Sequence, residues 1–386
     1  MPSTVERTVR GHIPSLDGIR GIAILWVVLH NVDLLTVPQS LSTHVVGFIA
    51  DRGYTGVTLF FVLSGFLITG ALLDSQKAVN YYQAFFWRRF VRIFPLYYIV
   101  LIIAFGLVPL VASLPAETLA NYRNQIWLWT YLSNWFQPFG YYVHGFSHFW
   151  SLAVEEQFYL LWPFAVHRLS KPGVIKLSCA VIAFALISRV VIRALGADAE
   201  VVYEFTICRM DALACGAIVA AITRMPAVIA WIEQSSRKVL LATAGVLLLG
   251  AVLTRAYERT GLSGQILGYG ILAAGFGALI LLAVMSEAHR FTPVSRVLSW
   301  APLRMFGKYS YGMYVFHRLL QGLIGERLQR AVGAGGKPDA FHDLAYVLLF
   351  GLVTFALAFL SYHAVEKHFL RLKRLVAVRA TTPEPA

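Results

Sequence analysis

LDGIRGIAILWVVLHNVD, residues 16–33, decides how the chain has to be read. The run is apolar enough for a helix in lipid, yet it holds Asp17, Arg20, His30 and Asp33. A charge at bilayer depth costs about 2.5–3.5 kcal/mol on insertion scales, so such groups face a polar interior and mark a functional site.

Composition supplies the bundle that would enclose that interior. Of 386 residues 58% are hydrophobic and 14% charged, with a mean hydropathy of +0.65. A soluble domain has roughly 45–50% apolar and 25% charged residues, so the chain reads as a polytopic membrane protein. A net charge of +13 would point to nucleic acid in a soluble protein. Here Lys and Arg sit in short segments between apolar runs, which is the pattern of cytoplasmic loops, and nucleic acid drops out as a partner. Cys208 and Cys215 share one expected helix about 10 Å apart, beyond disulfide reach, and read as core residues. Arg7 and Arg10 before an apolar run mimic a signal peptide, but the run is too long and contains His30, so it is kept as a span.

Stretches long enough to cross appear at about 18–37, 54–73, 94–112, 149–166, 174–194, 205–223, 239–254, 266–285, 306–324 and 342–365. The aromatic segment QIWLWTYLSNW, 125–135, is short and suits an interfacial or re-entrant position. Counting it as a span would put Arg168, Lys171 and Lys176 on the opposite side from the earlier basic segments. The expectation is an all-α transmembrane bundle of about ten spans over residues 1–375, with both termini cytoplasmic. A disordered cytoplasmic tail, 376–386, follows.

Four segments carry candidate chemistry. His30 lies about half-way through the hydrocarbon thickness, and Asp33, three residues on, shares its face and could orient the imidazole. The alternative is a buried structural histidine or a proton relay. GYTGVTLFFVLSGFLITG, 53–70, is rich in small residues. These let helices approach closely, or else Ser64 and Gly65 leave room for a ligand. In FFWRRFVRIFPLYY, 85–98, Arg89 and Arg92 share one face. They suit either positive-inside anchoring or phosphate, for which guanidinium forks are apt. In HFWSLAVEEQFYLLWP, 148–163, the adjacent Glu155 and Glu156 point different ways. An unpaired carboxylate two turns in is costly, so Glu155 is expected to pair with an arginine.

Arg209 with Asp211, Ser310, Tyr311, His317, Arg318, His363 and Glu366 add polar sites in apolar spans. Together they imply a polar bundle interior. Other signals fail: GAGGKP, 333–338, is no phosphate loop. His144 and His148 lack an HExxH arrangement, so no metal is expected.

SLDGIRGIAILWVVLHN, FFVLSG, RRFVRIFPLYY, HFWSLAVEEQFYLLWP, RMDALACG and KYSYGMYVFH, in that order, resemble the acyltransferase 3 family of membrane O-acyltransferases. The resemblance covers nearly the whole chain. It implies transfer of an acyl group, usually acetyl, from cytoplasmic acyl-CoA to a hydroxyl of a surface glycan or glycosylated lipid, in the plasma (inner) membrane. It also implies His30 as the essential histidine, acting as general base or carrying the acyl group itself, with Asp33 and Glu155 as further catalytic candidates. Arg20, Ser64, Arg89 and Arg92 would receive the acyl-CoA donor. Two features depart from the family. Glu366 is followed by Lys367 and His368 rather than closely by Pro, and no fused esterase-like domain is expected, so a second transfer step would need a separate protein. A macrolide or other small-molecule acceptor is the alternative within this class. A proton-coupled transporter using His30, Asp33, Glu155 and Arg209 is the alternative outside it.

Overall fold

A computed structural model describes residues 4–9, 11–32, 41–111, 122–288, 293–333 and 340–379. Ten long helices follow one another: α1 (Pro14–Asn31), α2 (Thr55–Asp74), α3 (Tyr81–Leu101), α4 (Trp150–Arg168), α5 (Lys171–Ala194), α6 (Thr206–Ile222), α7 (Ser236–Leu253), α8 (Tyr269–Ala288), α9 (Ala301–Ala331) and α10 (Ala340–Ser361). No strand occurs among the described residues.

Each helix falls on one of the ten expected stretches, but only seven are long and apolar enough to cross a membrane by length and composition. The three that fall short are α1, α4 and α9. Their hydropathy is lowered by Asp17, Arg20 and His30 in α1, by Glu155, Glu156 and Gln157 in α4, and by Arg304, Lys308, His317 and Arg318 in α9. Seven helices thus have crossing composition and three are more polar, which does not confirm the expected count of about ten spans.

The chain reverses at the end of each helix. Hydrogen bonds between connections gather at two poles. At one, Gln76 Nε2 donates to Val166 O (2.9 Å) and Lys171 Nζ to Arg224 O (2.6 Å). Arg379 N also donates to Asn80 Oδ1 there (2.9 Å), which ties down the first part of the tail; residues 380–386 lie outside the described residues. At the opposite pole, Tyr54 Oη donates to Tyr257 O (2.6 Å) and Gln265 Nε2 to Ala199 O (2.8 Å).

Helices α2 and α6 form the centre, whereas α7 presents Leu241, Leu248 and Val252 outward. Close approach explains the glycines of 53–70. A Cβ on Gly65 would lie 1.9 Å from Leu213 O, and one on Gly216 would lie 1.9 Å from Val62 O. Neither position tolerates a side chain, so α2 and α6 touch backbone to backbone. Ser64, beside Gly65, is thereby turned toward an internal cavity.

The aromatic segment expected to lie at an interface does not form a crossing helix. It folds into two four-residue helices, Ile126–Trp129 and Ser133–Phe136. Gln157 of α4 pins it, donating to Tyr131 O (2.8 Å) and Asn134 Oδ1 (2.9 Å).

Candidate active site

Three cavities lie end to end along the bundle axis. The first, about 570 Å³, opens at the pole that carries Arg20, Arg92, Arg304, Lys308 and Lys373. The second, about 110 Å³, is a narrow central chamber that shares Arg20, Arg92 and Tyr311 with the first. The third, about 520 Å³, opens at the opposite pole and shares Val57 and Tyr314 with the chamber. These two residues form a waist, and the Tyr314 hydroxyl holds it by donating to His148 O (2.8 Å).

The basic pole owes its character to helix α3. Arg88 is exposed, whereas Arg89 and Arg92, three residues apart, turn inward and line the chamber. Neither makes an ion pair with a carboxylate among the described residues, and Arg89 Nε is buried without a partner. Arg20 of α1 is held by Asp17 (Nη1 to Oδ1, 3.2 Å), which also receives His12 Nε2 (2.7 Å). Three guanidinium groups thus converge on one small space, two of them with unspent donors.

Glu155 lies in the same chamber, but the expected arginine partner is absent. The hydroxyls of Ser64 and Tyr159, which bond each other, line the chamber with it. Glu156 lines the chamber too, with Oε1 buried and unpartnered. The reason is geometric: the chamber is narrow enough for both adjacent carboxylates to border it. Ser64, Arg20, Arg89, Arg92 and Glu155 are thus brought together, and His30 is not among them.

His30 belongs to the third cavity. Its Nδ1 is 2.9 Å from Ala50 O. A carbonyl can only accept, so Nδ1 carries the proton and Nε2 of the neutral ring is left with its lone pair. Asp33, the expected orienter, lies outside the described residues, and Ala50 O takes the Nδ1 position. Gly53 permits this packing, since a Cβ there would lie 2.6 Å from His30 Cβ.

Of the other residues of this cavity, His148 and Arg318 stood out in the sequence, but Glu200, Glu204 and Arg259 did not. Glu200 and Arg259 form a forked pair, with Nη1 to Oε2 and Nη2 to Oε1 both at 2.8 Å. Burial alone would lower the pKa of Arg259, but hydrogen bonding to Glu200 holds it above the ordinary arginine range. Arg255, Ala256 and Tyr257 precede it with φ of 51°, 56° and 59°. Three consecutive left-handed residues cost of order 1–3 kcal/mol each and need outside support. Their carbonyls receive it: Arg52 donates to Arg255 O (3.3 Å) and Ala256 O (3.0 Å), and Tyr54 to Tyr257 O (2.6 Å). The signal available in sequence was the placement of charges in short connections at a pole otherwise poor in Lys and Arg.

Arg209 and Asp211 are not each other's partners. Asp211 pairs with Arg189 at 2.5 Å, whereas Arg209 donates to Thr58 Oγ1 (2.9 Å) and lies 4.3 Å from the centre of the Tyr269 ring. His317 Nδ1 donates to Tyr314 O (2.7 Å) behind the waist. Glu366 borders the basic cavity. No group of three or more potential metal-ligating side chains occurs among the described residues.

Comparison with known proteins identifies the family to which the chain is related. A peptidoglycan O-acetyltransferase, OatA, of Listeria monocytogenes is 31% identical over 81% of this chain and 50% of its own length. An O-acetyltransferase, OatA, of Staphylococcus aureus is 30% identical over 79% of this chain and 50% of its own length. The chain therefore spans about half the length of these relatives. No solved structure matches it. A family model described as an acyltransferase domain matches residues 13–363, and the chain belongs to that family, acyltransferase 3.

Proposed function

We propose that the protein is a membrane O-acetyltransferase that moves an acetyl group from acyl-CoA, bound at the basic pole, to a glycan hydroxyl presented near His30. The observation that carries this reading is the line of three cavities. It runs from unpaired arginines at one pole to the free Nε2 of His30 at the other. The family assignment favours acyl transfer over the proton-coupled transport that the sequence also allowed. The names of the relatives favour a glycan acceptor over a macrolide.

Arg20, Arg89 and Arg92 would hold the phosphates of the donor, as guanidinium forks do. From Arg20 to His30 is ten residues of helix, roughly 15 Å of axis, which an extended pantetheine arm can cover. The thioester then meets the acceptor near His30. Nε2 takes the proton of the acceptor hydroxyl, the oxygen attacks the thioester carbon, and the C–S bond breaks. The imidazolium returns the proton to the departing thiolate. Neutral Nε2 is the form required, and the Nδ1–H donation to Ala50 O supports it. A passage only 110 Å³ in its middle chamber also limits water at the thioester.

The excess of Lys and Arg at the basic pole makes it the cytoplasmic face, and α1, α4 and α9 complete a ten-helix bundle as polar members shielded by the seven apolar ones. Asp33 and Glu155 would act as positioning residues, Glu155 from its place beside Ser64 and Tyr159 in the chamber.

The test is thermal stability of the detergent-purified protein with acetyl-CoA, longer acyl-CoAs and free CoA. A ligand at 100 times its Kd adds about 2.7 kcal/mol. A shift that shrinks in Arg89→Ala supports the donor site. Absence of any shift in folded protein overturns it.

A further inference from the structure

The cavity at the basic pole carries a second group of cations that the transfer described above does not use. Arg304 and Lys308 of α9, together with Lys373, line it beyond Arg20 and Arg92. Close helix packing sets the place of the first two. A Cβ on Gly307 would lie 1.8 Å from Asp17 O, and one on Gly21 would lie 2.1 Å from Leu303 O, so α1 and α9 touch backbone to backbone. Lys308, next to Gly307, is thereby level with Arg20, and Arg304 lies one turn nearer the opening. Lys308 also rests on the Tyr309 and Tyr362 rings, 5.1 and 5.0 Å from their centres. Lys373 arrives from the end of the chain. Lys367 and His368 rather than Pro follow Glu366, so the helix continues as Lys367–Arg371 and a 3-10 turn, Leu372–Leu375. Two bonds from the start of α3 strap this segment down: Trp87 Nε1 donates to Leu372 O (2.8 Å) and Asn80 Nδ2 to Ala377 O (2.7 Å). Among the described residues none of the three cations pairs with a carboxylate, and Arg304 Nε is buried with no partner. The cavity has two carboxylates of its own. Asp17 is engaged by Arg20 and His12, which leaves Glu366, to which Ser361 Oγ donates (3.4 Å), against Arg92, Arg304, Lys308 and Lys373.

We propose that Arg304, Lys308 and Lys373 form a subsite for the ribose 3′-phosphate of the donor, and so select a nucleotide-bearing thioester over one that lacks this group. This rests on the acyl-CoA reading above and names the residues that set donor specificity. The donor carries two anionic groups separated by a ribose, a diphosphate and a phosphate monoester. The basic pole likewise holds two groups of cations, an inner one on the chamber and an outer one on the wider cavity. Size sets the orientation: about 110 Å³ takes only the slender pantetheine arm, whereas about 570 Å³ takes a nucleotide. The diphosphate then falls at the junction, on Arg20 and Arg92, which line both spaces. The monoester lies outermost and meets the cations nearest the opening. It carries about −1.5 to −2 charges at pH 7, so it calls for more than one cation. Two lysines supply point charges and Arg304 supplies a fork with a donor unspent.

The experiment measures, by titration calorimetry on the full chain in detergent, the affinities of acetyl-CoA and acetyl-3′-dephospho-CoA, which differ only in the monoester. Acetyl-CoA is expected to bind about 10- to 100-fold tighter, the scale of one charge-assisted contact. Arg304→Gln combined with Lys373→Gln is expected to bring the two within about threefold, and Lys373→Gln alone, on the surface strap, to remove part of the preference. Lys373→Arg is expected to keep it, because the charge stays. Arg89→Ala is expected to weaken both donors alike. The ratio is the readout because a substitution that merely loosens the fold lowers both affinities together. Equal affinity of the two donors for the parent overturns the subsite and leaves the donor reading intact. A preference that survives the double substitution overturns it as well. Adenosine 3′,5′-bisphosphate and adenosine 5′-phosphate, which lack the pantetheine arm, separate the two readings further. Preference for the bisphosphate without binding of acetyl-CoA supports the subsite and defeats the acyl-CoA reading. Displacement of the bisphosphate by inorganic phosphate at equal concentration overturns the nucleotide assignment, and binding of none of the four nucleotides by folded protein overturns both readings.

Discussion

The two poles of the molecule hold their charges differently. At the basic pole Arg89 and Arg92 face the chamber without a direct ion pair among the described residues, although Glu155 and Glu156 border the same space. At the opposite pole Arg259 is forked onto Glu200, and a strained three-residue turn supported by Arg52 and Tyr54 leads into it. Unpaired cations in a narrow space are costly unless an anionic ligand completes them. Paired charges with aromatic neighbours offer shape and hydrogen bonds with little net field. On the proposed reading the first pole would receive phosphate and the second a sugar, with the Val57–Tyr314 waist between them.

The largest expected effect comes from removing the group at the far end of the passage. His30→Ala is expected to lower acetyl transfer by about 100- to 10,000-fold, the usual contribution of a general base. An assay of transfer from acetyl-CoA to a glycan acceptor checks this.

At the other pole, Arg92→Ala or Arg89→Ala is expected to weaken acetyl-CoA binding by about 10- to 100-fold. That is the cost of one charge-assisted hydrogen bond, about 1.5–3 kcal/mol. Titration calorimetry at two salt concentrations reads it, and the loss should be smaller at high ionic strength.

A subtler break separates the poles without touching either ligand. Arg52→Met removes the support of the Arg255 and Ala256 carbonyls. It is expected to raise KM for the acceptor several-fold by freeing Arg259, while acetyl-CoA affinity stays within about twofold, as expected for distant, independent sites. Smallest of all, Arg88→Ala is expected to change donor affinity by less than about twofold, because an exposed charge is largely screened. A loss equal to that of Arg89→Ala would show that the inward face of α3 has been misread.

Much of the basic pole was legible in the sequence because its information is local. Arg89 and Arg92 share a face by their spacing, and Gly65 beside Ser64 marks a close contact beside an opening. The ten helices were legible for the same reason, since apolar length is a property of one segment. What escaped was non-local. The Arg259–Glu200 fork joins residues 59 positions apart, and His30 Nδ1 donates to a backbone carbonyl, which has no sequence signature. Asp211 finds Arg189 rather than its near neighbour Arg209, because side chains two apart on a helix diverge. Composition picks out seven crossing helices, and the three it leaves out, α1, α4 and α9, are those whose polar side chains border the cavities.

The central claim is that donor binding and the reacting histidine occupy opposite ends of one passage. The most direct test measures acetyl-CoA binding and acetyl transfer side by side in His30→Ala. The account expects acetyl-CoA affinity within about twofold of the parent, as for independent sites, together with loss of transfer. Loss of acetyl-CoA binding in that variant, or transfer at the parent rate, would contradict it.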